Sequence, residues 1–272
     1  MTQARVLIVA GSDSGGGAGI QADIKAVSAL SGYAATAVTA LTAQNTLGVQ
    51  GVWPVPADFI AAQMRSVLDD IGADCVKTGM LHDAEVIDTV ADGLAAGAPD
   101  APLVVDPVMI AQSGDRLLQE DAVTALKQRL LARATVITPN LPEAEVLLGR
   151  DIVGAAAQEA AAEALLDIGC RAVLLKGGHA AATDTVTDIL ATRDEVVRLV
   201  YPRIDTRNSH GTGCTLASAI ATGLAQGLAM DAAVRRARRY LQRALETARP
   251  LGAGHGPVNH QHTVAPFDGG GA

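Results

Sequence analysis

The stretch "NSHGTGC", residues 208–214, sets two glycines, hydroxyls and a single thiol at the head of a helical pattern. Gly211 and Gly213 permit backbone geometries in which consecutive N–H groups point the same way, and the positive end of the following helix adds to the pull on an anion. Thr212 sits between them. A thiol in the first helical turn is expected to have its pKa lowered, leaving part of Cys214 as thiolate at neutral pH. A packed cysteine behind a glycine turn is the plainer reading of the same letters.

Other polar residues stand at chain breaks. In "TPNLPEAE", Asn140 and Glu143 suit a helix cap, and equally suit orienting the waters of a Mg²⁺ ion, which keeps much of its water shell and needs few carboxylates. Asp106, after "VV", can add negative charge to the same ion. Lys176 closes the apolar run "AVLLK", where an ammonium needs a partner, a phosphate or a carboxylate. Gln44 in "TAQNT" has an amide that donates and accepts side by side, matching an aminopyrimidine edge or serving a turn. Met80, after Gly79, fits a core or the face of a flat ring. The loop "GSDSGGGAGIQAD" (11–23) matches neither phosphate-binding glycine pattern. It delivers Asp23 to the apolar face marked by Ile20, Ile24 and Val27, where a carboxylate needs a backbone donor or a ligand. His255, His260 and His262 lack the spacing of a metal site.

The elements that must position these residues are short apolar runs alternating with helical patterns, which predicts an α/β fold built on a mostly parallel sheet. Strands are expected at 5–10, 35–41, 74–78, 102–106, 135–138 and 172–176, an edge hairpin within 183–202, and helices at about 214–226 and 230–248. The helix after Cys214 rests on Leu216, Ile220, Leu224 and Leu228. Several strands close on a polar residue and a chain breaker, and ligands of open parallel sheets bind beyond those carboxyl ends. A single domain over 1–266 and a disordered tail at 267–272 follow from the absence of a linker and from the terminal glycines.

Composition narrows the function. With 49% apolar and 18% charged residues the chain has material for a large core. A net charge of −8 and only one Trp, three Tyr and two Phe disfavour nucleic acid. The run "VLIVA" is too short for a signal peptide or a membrane span, which predicts a cytoplasmic protein without a membrane partner. Cys75, Cys170 and Cys214 suggest neither a disulfide framework nor a zinc site.

The glycine loop, "AQNT", "KTGML", "VVDPVM", "TPNLPEAE", "LLKGGH" and "HGTGC", in this order, resemble the hydroxymethylpyrimidine/phosphomethylpyrimidine kinases of thiamine biosynthesis, in the ribokinase-like superfamily. The resemblance runs from about residue 5 to residue 262. It implies a three-layer αβα fold, ATP and Mg²⁺, a homodimer, and phosphorylation of 4-amino-5-hydroxymethyl-2-methylpyrimidine and then of its monophosphate. By position, Gly11, Asp23, Gln44, Met80 and Val108 would surround the pyrimidine; Asp106, Asn140 and Glu143 would hold Mg²⁺; Lys176 would face the ATP phosphates. Gly211, Thr212 and Gly213 would form the anion hole, with Cys214 where many sugar kinases of the superfamily carry a catalytic Asp. The chain departs from the family's "GSDPSGGAG" by reading "GSDSGGGAG", which predicts a looser loop at 12–16. A pyridoxine or pyridoxal kinase and a non-catalytic pyrimidine-binding regulator are the competing readings.

Overall fold

The first apolar run shows how the core is divided. In β1 (Arg5–Ala10), Leu7 and Val9 enter one hydrophobic cluster while Val6, Ile8 and Ala10 enter another, all nearly inaccessible. A strand apolar on both faces belongs to the interior of a sheet covered on both sides. The computed structural model, which describes residues 3–109, 117–119, 121–178 and 184–265, has that architecture. The tail expected to be disordered lies outside the described residues.

After β1 come α1 (Gly19–Ala29), β2 (Tyr33–Val38), β3 (Ala40–Asn45), β4 (Gly48–Pro54), α2 (Ala57–Asp70), β5 (Cys75–Thr78) and α3 (Ala84–Gly97). They are followed by β6 (Leu103–Val105), α4 (Ala122–Ala125), β7 (Val136–Ile137), α5 (Leu141–Leu148), α6 (Ala155–Leu165) and β8 (Ala172–Leu175). The antiparallel hairpin β9 (Thr185–Thr192) and β10 (Val196–Pro202) leads to α7 (Thr212–Ala225) and α8 (Met230–Glu246). The main sheet runs β10-β9-β8-β7-β6-β5-β1-β2, parallel from β2 to β8, with the predicted hairpin at one edge. Residues of α2, α3, α5 and α6 pack on one face and those of α1, α7 and α8 on the other, giving three αβα layers.

Two expectations need correction. The single strand at 35–41 is two strands, because the chain leaves the main sheet at Thr39, whose hydroxyl donates to the Met80 carbonyl at 2.7 Å. Beyond it β3 and β4 form a separate two-stranded sheet, with a register shift between Ala43 and Gln44. The stripe behind Cys214 also stops early: α7 ends at Ala225, and Leu228 follows Gly227, whose φ of +80° ends the helix in the left-handed region.

Candidate active site

Every element that carries a chemical residue ends at one edge. A cavity of about 580 Å³ opens beyond the carboxyl ends of β1, β5, β6 and β8, between the β3–β4 hairpin and the amino end of α7. Gly11, Gln44, Met80, Asp106, Val108, Asn140, Glu143, Lys176, Gly211, Thr212, Gly213 and Cys214 all line it. Their convergence follows from the parallel sheet, which sends each strand's carboxyl end to the same side.

Asp23 is the exception and a correction. Its side chain does face inward, but it is fully buried away from the cavity wall. Lys77 Nζ donates to both of its carboxylate oxygens at 2.9 Å, and the Ser218 hydroxyl donates to it at 2.7 Å. Its partner is therefore an ammonium from β5, neither a cap nor a ligand. Ile24, expected on the apolar face, is partly exposed, because the buried face of α1 is carried by Ala22, Asp23, Ala26 and Val27.

The Gly211–Gly213 turn is shaped by contact between the two glycine loops. Gly211 has φ +82°, and a Cβ there would stand 1.8 Å from the Gly17 carbonyl oxygen, so only glycine fits. His210 Nε2 lies 2.8 Å from an Asp13 carboxylate oxygen, and Asp13 also accepts from the Gly15, Gly17 and Ala18 N–H groups. Burial opposes charge on Asp13, but the His210 bond and the Ala18 and Gly15 donors outweigh it and hold its pKa below the usual carboxylate range. The Ser14 hydroxyl bonds the backbone of Gln44. The loop expected to be loose is thus tied to both the cradle and the hairpin.

Cys214 occupies the first turn of α7, half-buried and facing the cavity. Its thiol pKa, expected to be lowered, is pushed up to about 12. The low-dielectric walls dominate, and Asp23 and Asp106 add to them, against the lowering effect of Lys77. At neutral pH Cys214 in the ligand-free protein is a thiol.

Beside Gly213, Lys176 Nζ is 2.9 Å from Asp106 Oδ1 and 3.8 Å from Glu143 Oε2. Asp106 also accepts from Thr138 Oγ1 at 2.9 Å. Burial works against Asp106, yet Lys176 and Lys77 keep its pKa below the usual range. Asn140 and Glu143 form a complete capping box at α5: Glu143 N donates to Asn140 Oδ1 at 2.9 Å, and Asn140 N to Glu143 Oε2 at 2.7 Å. Burial, helped by Asp106 and opposed by Lys176, pushes the Glu143 carboxyl up to about 7.

At the other end of the cavity, Gln44 stands at the strand irregularity with its Oε1 accepting from Thr42 Oγ1 at 3.2 Å. Met80 packs against Gly11, where a Cβ would be 3.1 Å from the methionine Cε. His260 lies away from the cavity, bonded through Nδ1 to the Tyr240 hydroxyl at 2.9 Å, with His262 packed on the same ring. Sequence reasoning missed Asp13, His210 and Lys77. Asp13 had a signal, an Asp before a glycine run that invites backbone N–H donors. Lys77 had one too, a lone cation inside the otherwise buried run "CVKT".

A family model described as phosphomethylpyrimidine kinase matches residues 13–259. The chain is 51% identical over 260 residues to the hydroxymethylpyrimidine/phosphomethylpyrimidine kinase of Streptomyces coelicolor, covering 96% of this chain and 95% of that protein. It is 53% identical over 255 residues to a thiamine biosynthesis bifunctional protein of Geobacter sulfurreducens, covering 94% of this chain but only 52% of that longer protein. Among solved structures, an ADP complex of Bacillus subtilis pyridoxal kinase superposes with a TM-score of 0.89 at 34% identity, covering 96% and 98% of the two chains. With half its residues shared with a full-length relative and the family pattern spanning nearly all of it, the chain belongs to the phosphomethylpyrimidine kinase family.

Proposed function

We propose that this chain transfers the γ-phosphoryl group of ATP to the hydroxymethyl group of 4-amino-5-hydroxymethyl-2-methylpyrimidine, and then phosphorylates that monophosphate to the pyrophosphate, in thiamine biosynthesis. The observation that carries the reading is the joining, in one cavity, of an amide-bearing end at Gln44 to a glycine cradle and a lysine–carboxylate cluster. A flat ring with an amino group beside a ring nitrogen suits Gln44 and the Met80 wall. The Gly211–Gly213 turn at the head of α7 offers N–H groups to the transferring phosphoryl, and Lys176 offers its ammonium.

Asp106 and Glu143 are two buried carboxylates on the cavity wall, bridged by an ammonium, a donor set that fits a divalent ion keeping most of its water shell. Mg²⁺ held there with Asn140 would neutralise phosphate charge. Cys214 takes the hydroxyl proton in the first transfer. Its thiol is protonated at neutral pH, so the accepting form is a minor fraction that grows tenfold per pH unit below about 12. The second transfer has an anionic phosphate as nucleophile and needs no such acceptor.

Self-association through the β3–β4 hairpin fits the homodimer that the family resemblance implies. Residues 26–57 contain no charged side chain in a protein of net charge −8. Leu41 and Trp53, paired across the hairpin, are 52% and 73% exposed.

The likeness to a pyridoxal kinase makes pyridoxal the competing alcohol. Steady-state turnover with ATP and Mg²⁺ on the pyrimidine alcohol, its phosphate, pyridoxine and pyridoxal tests the reading. The expected result is turnover of both pyrimidines, with pyridoxal the poorer substrate. Preference for pyridoxal would reassign the substrate, and no turnover of any would favour a binding protein. Gln44→Ala should weaken the pyrimidine alone; equal losses on both rings would remove Gln44 as the discriminator.

A further inference from the structure

The cavity floor hides a charge that the functions described above do not use. Lys77, Asp23 and Ser218 come from β5, α1 and α7, and all three are wholly inaccessible to solvent. Ser218 lies one helical turn beyond Cys214, on the same face of α7. Lys77 Nζ also lies close behind Gly79, where a Cβ would be only 3.0 Å from it, and Gly79 lines the cavity. The ammonium therefore lies close behind the cavity wall at the pyrimidine end of the site. Burial opposes the charge on Lys77, but Asp23, with Asp106 behind it, outweighs burial and raises its pKa above the ordinary lysine value.

A buried ion pair of this kind is a poor source of stability, since apolar side chains of the same volume commonly serve as well. Its effect on the cavity is of another kind. A fixed ammonium in a low-dielectric wall acts on whatever negative charge forms nearby, without reorganising as it forms. During the first transfer the alcohol oxygen bonds to the γ-phosphorus as the bond from that phosphorus to the bridging oxygen of ADP breaks. ADP keeps that electron pair, and the hydroxyl proton passes to the ionised Cys214 sulfur. Negative charge thus gathers on an oxygen that began neutral. In the second transfer the attacking phosphate oxygen is charged from the outset, so the same field favours the bound substrate and the transition state alike.

We propose that Lys77, fixed by Asp23 behind Gly79, is a positioning residue for the first phosphorylation, supplying the positive field into which the attacking hydroxyl oxygen develops its charge. The inference rests on the two-step reading above. The test compares wild type, Lys77→Met and the charge-balanced double variant Lys77→Met with Asp23→Asn, measuring kcat and KM separately for the pyrimidine alcohol and its phosphate. The expected result in the double variant is a fall of about 10- to 100-fold in first-step kcat, with KM and second-step kcat within about threefold of wild type. Equal losses in both steps, no loss in either, or failure of both variants to fold would overturn the proposal, because each makes the pair purely structural or idle. Absence of alcohol turnover in the wild type would instead overturn the functional reading, and this inference with it.

Discussion

His210 Nε2 and the Asp13 carboxylate stand 2.8 Å apart across 197 residues of chain, and this bond joins the amino-terminal glycine loop to the Gly211–Gly213 turn. Asp13 organises its own loop through three backbone donors while His210 opens the turn that contains Gly211, so the two glycine loops share one anchor. His210→Leu removes one buried partner and should cost about 1–3 kcal/mol of stability. Because the anchor sets the turn proposed to serve both transfers, kcat should fall for both pyrimidine substrates, with His210→Gln recovering part of the loss. Thermal unfolding with paired steady-state assays checks this.

Gly211 is predicted to be irreplaceable for a geometric reason. Gly211→Ala would add a left-handed backbone strain and a clash with the Gly17 carbonyl, together costing about 2–4 kcal/mol or displacing the cradle. Gly178→Ala is the contrast: it has open space and no positive φ, so its stability should stay within about 0.5 kcal/mol of wild type. Chemical denaturation of the two variants tests the pair.

Glu143 gives the ligand-free protein a pH dependence of known sign. Its carboxyl, ordinarily near 4.5, is raised to about 7, so the folded protein holds a proton there that the unfolded chain has lost. The stability this provides is fully present below about 4.5 and is lost as pH rises through 7. Mg²⁺ held at Glu143, as proposed, would have to displace the same proton, so its stabilising effect should strengthen between pH 6 and pH 8. Melting curves with and without Mg²⁺ at both pH values should show this in wild type and not in Glu143→Gln.

Much of the architecture was legible because most of the parallel strands are apolar runs that end in a chain breaker. Asp106, Asn140, Glu143 and Lys176 could be placed at one edge from those breaks alone. What escaped depends on three-dimensional pairing. The inward direction of Asp23 follows from helical period, but its partner lies 54 residues away on β5 and has no local signature. The exit of the chain at Thr39 is fixed by a bond to Met80 on another strand. The Cys214 pKa was misread because a helix terminus is visible in sequence while the apolar walls and the neighbouring carboxylates are not. Their combined effect is the larger.

In the proposed reaction Cys214 serves the alcohol and not the phosphate. The most direct test is turnover of each pyrimidine substrate by wild type and Cys214→Ala at saturating Mg²⁺ across pH 7–9. The first step in wild type should rise about tenfold per pH unit, and Cys214→Ala should lower it by about 10²- to 10⁴-fold, with the second step little changed in both respects. A first step that proceeds at a near-normal rate without the sulfur, or that is flat with pH in wild type, would contradict it.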